Sequence, residues 1–561
     1  MNLLISTAAW GLLGSLAFAI CKCIRCLVFS PLDNIPGPLH LSFWSGTTAS
    51  FPEAIDIGLN WGCTGNVGRF FDRHGLKFHM QLAQNYGRVV RMHGPFGRRI
   101  LYVYDPLALH SMLAKDQTSF EESSNFIYCN QLLFGPGLLS TVGEQHRKQR
   151  KMLNPVFSIN HMRRLLPIFN QAVHRLRVAI SWEVIEGTEE IDMLDWMGRL
   201  SLELIGQGGL GYSFDPLVED AKNEYGNALK IIFAALQDVF FLRPLLPYAS
   251  LLGPRWIWRR LLDLIPYAPA RRLKTLVDVM ADHSVLIFEQ KKIASANGDQ
   301  ALERQLEEAT DIMSILMKKN MTAANEDKLD ESEVVAQVST MTLAATDTTS
   351  NTACRILHLL AEHPEAQNRL RQEIMGASSG EDISYDELNQ LPYLDAIIRE
   401  SLRLYPPATL ISKEAIADTI LPLSEPIIGM DGKMIAEIPI ARGTEIYVGI
   451  LGSNTNKAMW GEDALEWKPE RWLSPLPRTL METPIPGVYS KLMSFLGGKR
   501  ACIGFKFAEV EIKTTLFVLL STFKFDVTNK SIVWNVATVN YPTVGMDSAK
   551  PEMPLRVQLL S

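Results

Sequence analysis

The run from Ser494 to Gly504, Ser-Phe-Leu-Gly-Gly-Lys-Arg-Ala-Cys-Ile-Gly, constrains this chain more than any other stretch. Its glycines permit a tight backbone approach to something flat, and Arg500 offers a fork-shaped cation for a carboxylate. Cys502 projects from the loop just ahead of a helical run, Phe507 to Leu520. Donors and a positive dipole at that helix start are expected to stabilise a thiolate. A sulfur anion offered from such a loop suits a metal ligated from one side and open on the other. Taken alone, a cysteine in this composition is more simply a small buried hydrophobe. The string around it shifts the balance to a ligand.

The rest of the chain supplies a large core for such a site. It has 561 residues, 47% hydrophobic and 21% charged, with a net charge of -6, and no internal repeat, low-complexity stretch or obvious interdomain linker. The expected organisation is a membrane anchor over 1–30, a proline-containing hinge and linker over 31–50, and one large domain over 51–561. The scattered Lys and Arg form no long basic run, so no nucleic-acid partner is expected. Seven cysteines at irregular spacing do not make a disulfide scaffold.

Leu3 to Ile20 carries no charge and would be about 27 Å long as a helix, near the span of a bilayer core. Lys22 and Arg25 follow it and no Lys or Arg precedes it, which places the downstream domain on the cytosolic side. Ala17-Phe18-Ala19 has the spacing of a signal-peptide cleavage site, but the positive leading region is missing and the apolar run is long, so an uncleaved anchor is expected. Cys23-x-x-Cys26 has no second pair or nearby histidine. Cys21, Cys23 and Cys26 therefore read as membrane-boundary cysteines, with acylation left open. Ile35-Pro36-Gly37-Pro38 reads as a stiff hinge.

Gly87 to Pro106 has short β-type runs punctuated by Gly and Pro, expected as a hairpin or small sheet. Helical signals dominate from about Glu144 to Leu404, interrupted around Leu242 to Pro254, and short strands return over Phe523–Val527 and Ile532–Val539. The fold class is mainly α with small β-sheets, unlike the strand-helix repeats of a doubly wound fold. One long helix is expected from Asp330 or Ser332 to Ala361 or Glu362. Its middle, Met341 to Ser350, carries hydroxyls and one carboxylate where a core helix would carry Leu. Those hydroxyls compete for backbone carbonyls, so a local widening is expected. A helix with its polar side in solvent is the plainer account.

Phe495, Gly498, Arg500, Cys502 and Gly504 match a pattern that resembles the haem-binding signature of the cytochrome P450 family, Phe-x-x-Gly-x-Arg-x-Cys-x-Gly. Glu400-Ser401-Leu402-Arg403 resembles the family's Glu-x-x-Arg, and Pro469-Glu470-Arg471-Trp472 its later arginine segment. Ala344 to Thr349 is similar to the oxygen-activation stretch, with Ala345 where glycine is usual. The segment Gly143–Arg150 resembles the helix that carries Trp-x-x-x-Arg, with His146 in the tryptophan place. The basic face of Arg147, Lys148, Arg150 and Lys151 reads equally as solvated.

The resemblance implies a microsomal-type (class II) haem-thiolate monooxygenase of the P450 fold, holding haem b, behind one N-terminal transmembrane helix. It implies Cys502 as the iron ligand, Arg500, His146 and Arg150 toward the propionates, and Phe495 and Gly498 packing the haem. Asp347 and Thr348 fall on the acid-alcohol pair that manages protons and water, and Glu400, Arg403 and Arg471 form a lock beneath the loop. No Gly-x-Gly-x-x-Gly fingerprint follows a strand, so electrons from NADPH are expected through a separate NADPH-cytochrome P450 reductase, with cytochrome b5 as a further partner. The expected location is the endoplasmic reticulum membrane, single-pass, with a cytosolic catalytic domain. By family position, Phe126–Tyr128, the region before Phe240–Leu242, Ala344, Ala345 and Thr409–Ile411 surround a lipophilic substrate, and Trp256–Arg260 suits a membrane interface. A terpenoid secondary metabolite is the expected substrate class, with fatty acids or xenobiotics next. A haem-thiolate isomerase or dehydratase needing no reductase, and a haem sensor, are the rivals outside monooxygenation.

Overall fold

The computed structural model describes residues 30–38, 70–94, 98–217, 224–239, 255–264, 266–296, 311–377 and 382–560. These belong to two compact units, one formed by Met1–Glu121 with Ser412–Gly449 and the other by Glu122–Ile411 with Ile450–Ser561.

The first unit is built on a sheet. Its strands are β1 (Val89–His93), β2 (Arg99–Val103), β3 (Phe120–Glu122), β4 (Leu410–Ala415) and β7 (Glu445–Gly449), ordered β1-β2-β7-β4-β3. The β-branched and aromatic residues of β1 and β2 favour pleated backbone, and Val89 pairs with Val103 through His93 with Arg99. The hairpin expected over Gly87–Pro106 is thus present. Between β4 and β7 the chain forms a second hairpin, β5 (Thr419–Ile428) against β6 (Met434–Ile440). Ile35–Pro38 is not a free hinge. Pro36 O accepts from Arg91 N at 2.9 Å, and a Cβ on Gly37 would lie 2.0 Å from Arg91 O, so this segment is fastened to β1.

The second unit is mainly helical. The helices that carry the site are, in chain order, α1 (Gly143–Leu153), α2 (Ile159–Ile185), α3 (Met193–Leu204), α4 (Glu331–Glu362), α5 (Pro392–Leu404) and α6 (Phe505–Thr522). α4 starts where the sequence places it. Asp330 caps it in a reciprocal box with Glu333, whose Oε2 accepts from Asp330 N at 2.9 Å. α4, α3 and α6 are lined with buried apolar residues and form the core with α2. Small antiparallel sheets close the unit: Glu190–Asp192 with Pro554–Leu559 and Phe523–Asp526, and Ile532–Asn535 with Tyr541–Val544. The latter strand stops at Asn535 rather than Val539, because the Asn535 side chain donates to Val533 O and Tyr541 O and turns the chain.

Mainly α with small sheets is therefore correct. Among the described residues no helix is long and apolar enough to cross a membrane. The Leu3–Ile20 run, Cys21, Cys23, Cys26 and the Leu242–Pro254 interruption lie outside the described residues. Trp256–Arg260 falls on the helix Arg255–Leu264, but the side chains of its tryptophans are likewise outside them.

Candidate functional site

The cysteine loop is a closed, strained turn. Leu496 (φ 56°) and Gly498 (φ 68°) both take left-handed backbone, and Cys502 N donates to Phe495 O at 2.8 Å, drawing the loop shut. Left-handed φ is costly for a leucine, so its surroundings must hold it there. They do: Leu496 N donates to Met493 O and Leu496 O accepts from Val488 N. At Gly497 a Cβ would lie 1.8 Å from Pro486 O, which leaves no room for a side chain. Phe495 packs edge-on against Tyr489, ring centroids 5.4 Å apart.

Cys502 lies one residue pair ahead of α6, and its side chain is open to solvent. Desolvation by the protein packed around this opening still pushes the thiol up, against opposing pulls from the Gly504 N–H and the Arg150 guanidinium. The pull of the Gly504 N–H is the contribution expected of the helix start, and a bound cation would add to it.

One guanidinium acts on the sulfur and a second acts on the first. Arg150 interacts electrostatically with both Cys502 and Arg500, and burial pulls its own pKa down. Arg500 is almost fully buried. It donates to Thr141 O at 2.7 Å and Leu138 O at 3.4 Å, and its Nε lies 3.8 Å from Glu122 Oε1. The cysteine loop is thereby stapled to the segment that leads into α1. On α1, buried His146 precedes Arg150 by one turn, so the two share a face. Arg147 and Lys151 point away, paired with Glu144 and Asp327 on the surface.

α1 is held to α4 by a polar seam. Gln149, wholly buried, donates to Glu333 Oε1 at 2.7 Å and accepts from Gln337 at 3.2 Å and from Thr141 Oγ1 at 3.2 Å. Farther along α4, the Asp347 carbonyl accepts from Asn351 Nδ2 at 2.9 Å, but its carboxyl has no hydrogen bond or ion pair with any described residue, and burial pushes that carboxyl up to about 7. Thr348 Oγ1 donates to Ala344 O at 2.7 Å, so the adjacent acid and alcohol are not bonded to each other. The expected widening is absent: α4 is α-helical throughout, because the Thr348 and Thr352 hydroxyls add to carbonyls one turn back instead of displacing the ladder.

The lock is wired to the cysteine loop. Glu400 and Arg403 are 0% exposed and doubly bonded, both contacts at 2.8 Å. Glu400 also accepts from Trp472 Nε1 at 2.9 Å and lies 3.4 Å from Arg471 Nε. Arg403 donates further to the carbonyls of Asn454, Ala464 and Glu466. Asn454 is the link that motif matching does not reveal. Its side chain accepts from Met493 N at 2.9 Å and donates to Ser494 Oγ at 2.9 Å, and Ser494 donates to Leu402 O at 2.7 Å. A polar residue followed by no pattern has no signal in a single sequence.

Of the expected pocket residues, Phe126–Tyr128 lie half-buried on the helix Ser124–Phe134, Ala344 is exposed and Ala345 half-buried, and Thr409 is buried with its carbonyl accepting from Leu451 N. Phe240–Leu242 lie outside the described residues. The turn after Ile532–Asn535 is fastened to the segment that precedes Thr409: Asn540 N donates to Pro407 O at 2.8 Å and its side chain donates to Pro406 O at 3.2 Å.

Among the described residues no three His, Cys, Asp or Glu side chains are grouped to hold an ion. A metal at Cys502 would have to bring most of its own ligands. One sulfur beside the Arg150 guanidinium, with Arg500 near that guanidinium, fits a metal held in an anionic macrocycle, as in haem.

A family model described as Cytochrome P450 matches residues 57–550. The chain is 52% identical over 549 residues to cytochrome P450 monooxygenase 81 of Postia placenta, covering 98% of this chain and 97% of that one. It is 54% identical over 532 residues to cytochrome P450 monooxygenase 219 of the same fungus, covering 94% of each. A ganoderic acid synthetase of Ganoderma lucidum is 43% identical over 543 residues, covering 96% of each.

Proposed function

The chain belongs to the cytochrome P450 family as a monooxygenase, and from that premise we propose that Cys502 ligates the iron of haem b in an O2- and NADPH-dependent oxidation of a lipophilic small molecule. The observation that carries this reading is an accessible sulfur at the end of a closed glycine turn, with the Arg150 guanidinium acting on it. When bound, haem supplies the oxygen activation, and thiolate donation favours O–O cleavage. The chain supplies the rest. Cys502 would hold the metal, Arg500, Arg150 and His146 would face the propionates, and Phe495 and Gly498 would shape the close face. A carboxyl near 7 holds and releases a proton with equal ease at neutral pH, which suits Asp347 to proton delivery. Thr348 presents its hydroxyl beside it.

Electrons are proposed to come singly from NADPH-cytochrome P450 reductase, with cytochrome b5 as a second donor. The exposed Arg147 and Lys151 on α1 offer a basic face for such a partner. The uncharged Leu3–Ile20 run followed by Lys22 and Arg25 supports a single-pass anchor in the endoplasmic reticulum with the catalytic part in the cytosol. The similarity to a ganoderic acid synthetase supports a terpenoid as the substrate class. The test is co-expression with a reductase and untargeted product analysis. A new oxygenated terpenoid with matching O2 and NADPH consumption is the expected result. A product formed without either would replace this reading by an isomerase or dehydratase.

A further inference from the structure

Arg355, on α4, pairs with no carboxylate of a described residue. Its charge lies instead over two aromatic rings: Cζ is 3.7 Å from the ring centroid of Tyr405 and 4.8 Å from that of Trp534. A cation is drawn to a ring face most strongly where water is excluded, and Arg355 Nε is buried. The flat guanidinium can cover both rings together, whereas the compact ammonium of a lysine cannot. Trp534 is tied to α4 a second time, one turn on, where its Nε1 donates to His358 Nδ1 at 3.4 Å.

Each ring stands at the root of a segment that leads away from the core. Tyr405 ends α5, its N–H donating to Ser401 O at 2.8 Å, and two prolines follow it, Pro406 and Pro407. Prolines fix their φ, so the path from Tyr405 to Thr409 is stiff. Trp534 lies in the strand Ile532–Asn535, next to the asparagine that turns the chain. The turn that follows is bonded to the proline segment through Asn540, to Pro407 O at 2.8 Å and to Pro406 O at 3.2 Å. One guanidinium thus joins three pieces: α4, the segment 406–409 and the turn 536–540. Arg355 also follows Thr348 by 355 minus 348, or seven residues, so the two share a face of α4 about 10 Å apart along its axis.

We propose that Arg355 is a positioning residue for substrate: by covering Tyr405 and Trp534 together it sets the distance of segment 406–409 and its bonded turn from Asp347 and Thr348, and so decides how large a lipophilic molecule fits between them. The proposal rests on the reading of Cys502 as the haem ligand and of Thr409 as a wall of the substrate space. A displaced segment changes the space over the metal without touching the metal itself, so bulky and small ligands respond differently.

The test uses the purified full chain and two probes that ligate ferric haem through nitrogen, imidazole and the bulky triaryl imidazole clotrimazole, each titrated by the shift of the Soret band. Wild type is expected to bind both. In Arg355→Lys and in Trp534→Leu, clotrimazole is expected to bind about tenfold more weakly while imidazole stays within about twofold, and the double variant should be no weaker than the weaker single one. Haem content and the reduced carbon-monoxide spectrum should stay as in wild type. Clotrimazole affinity within about twofold of wild type in either single variant overturns the proposal, as do losses that add in the double variant. Losses for both probes together mark a merely structural role and overturn it too. If Arg355→Lys does not take up haem, Trp534→Leu decides by the same criteria, and loss of haem in both variants counts against the proposal. Wild type that shifts with imidazole but not with clotrimazole has no lipophilic space over the metal and overturns the proposal alone. Wild type that shifts with neither probe removes the haem reading itself, and the proposal with it.

Discussion

Arg403→Lys keeps the charge of the lock but not its shape. The guanidinium donates five hydrogen bonds, two to Glu400 and one each to the carbonyls of Asn454, Ala464 and Glu466, between 2.5 and 3.1 Å. An ammonium has three donors, so at least two buried acceptors lose their partner. Each unmet buried group costs about 1–3 kcal/mol, which gives roughly 2–6 kcal/mol in total. That is a large part of the ~5–15 kcal/mol that holds a typical domain folded. The damage should also reach the cysteine loop, since Asn454 holds Met493 and Ser494. Urea titration followed by the reduced carbon-monoxide difference spectrum is the assay. The expected result is an earlier midpoint and a larger share of protein in a spectrally inactive form. A midpoint changed by less than about 0.5 kcal/mol, the range of ordinary surface changes, would refute the reasoning.

Glu511, buried on α6 with one bond to Ser201, is pushed up by burial to about 8 from an ordinary 4.5. Its native form therefore holds a proton that the unfolded chain releases. Stability should fall as pH rises from 4.5 to about 8, and Glu511→Gln should flatten that fall and be the more stable form at the alkaline end, read from urea midpoints at both ends of the window. Asp347→Asn is expected to slow product formation by about a hundredfold or more and to erase the pH dependence centred near 7, measured as steady-state turnover across that range. Thr348→Ala should divert NADPH consumption to peroxide; unchanged coupling would remove the hydroxyl from proton management. Gly497→Ala should abolish haem incorporation, scored by the ratio of haem to protein absorbance, because its Cβ has no space beside Pro486 O.

Much of the site is legible in the order of residues because it is local. The glycines, Arg500 and Cys502 lie within one turn, and Glu400 and Arg403 are fixed by helical spacing. The long helix announces its start through Asp330 and Glu333, one capping box apart. What joins these pieces is not local. Asn454 and Gln149 act through partners up to 188 residues away, and nothing in their own neighbourhood marks them. The expectation of a widened helix at Thr348 failed for a related reason. A threonine hydroxyl can either displace a backbone hydrogen bond or supplement it, and packing around α4 decides which.

The most direct measurement compares the reduced carbon-monoxide difference spectra of the purified wild-type protein and Cys502→Ser. A long-wavelength Soret band that marks thiolate ligation in the wild type, shifted to the position of an oxygen- or nitrogen-ligated haem in the variant, is the expected pair. Protein that binds no haem, or a band left in place when the sulfur is gone, would contradict the assignment of Cys502.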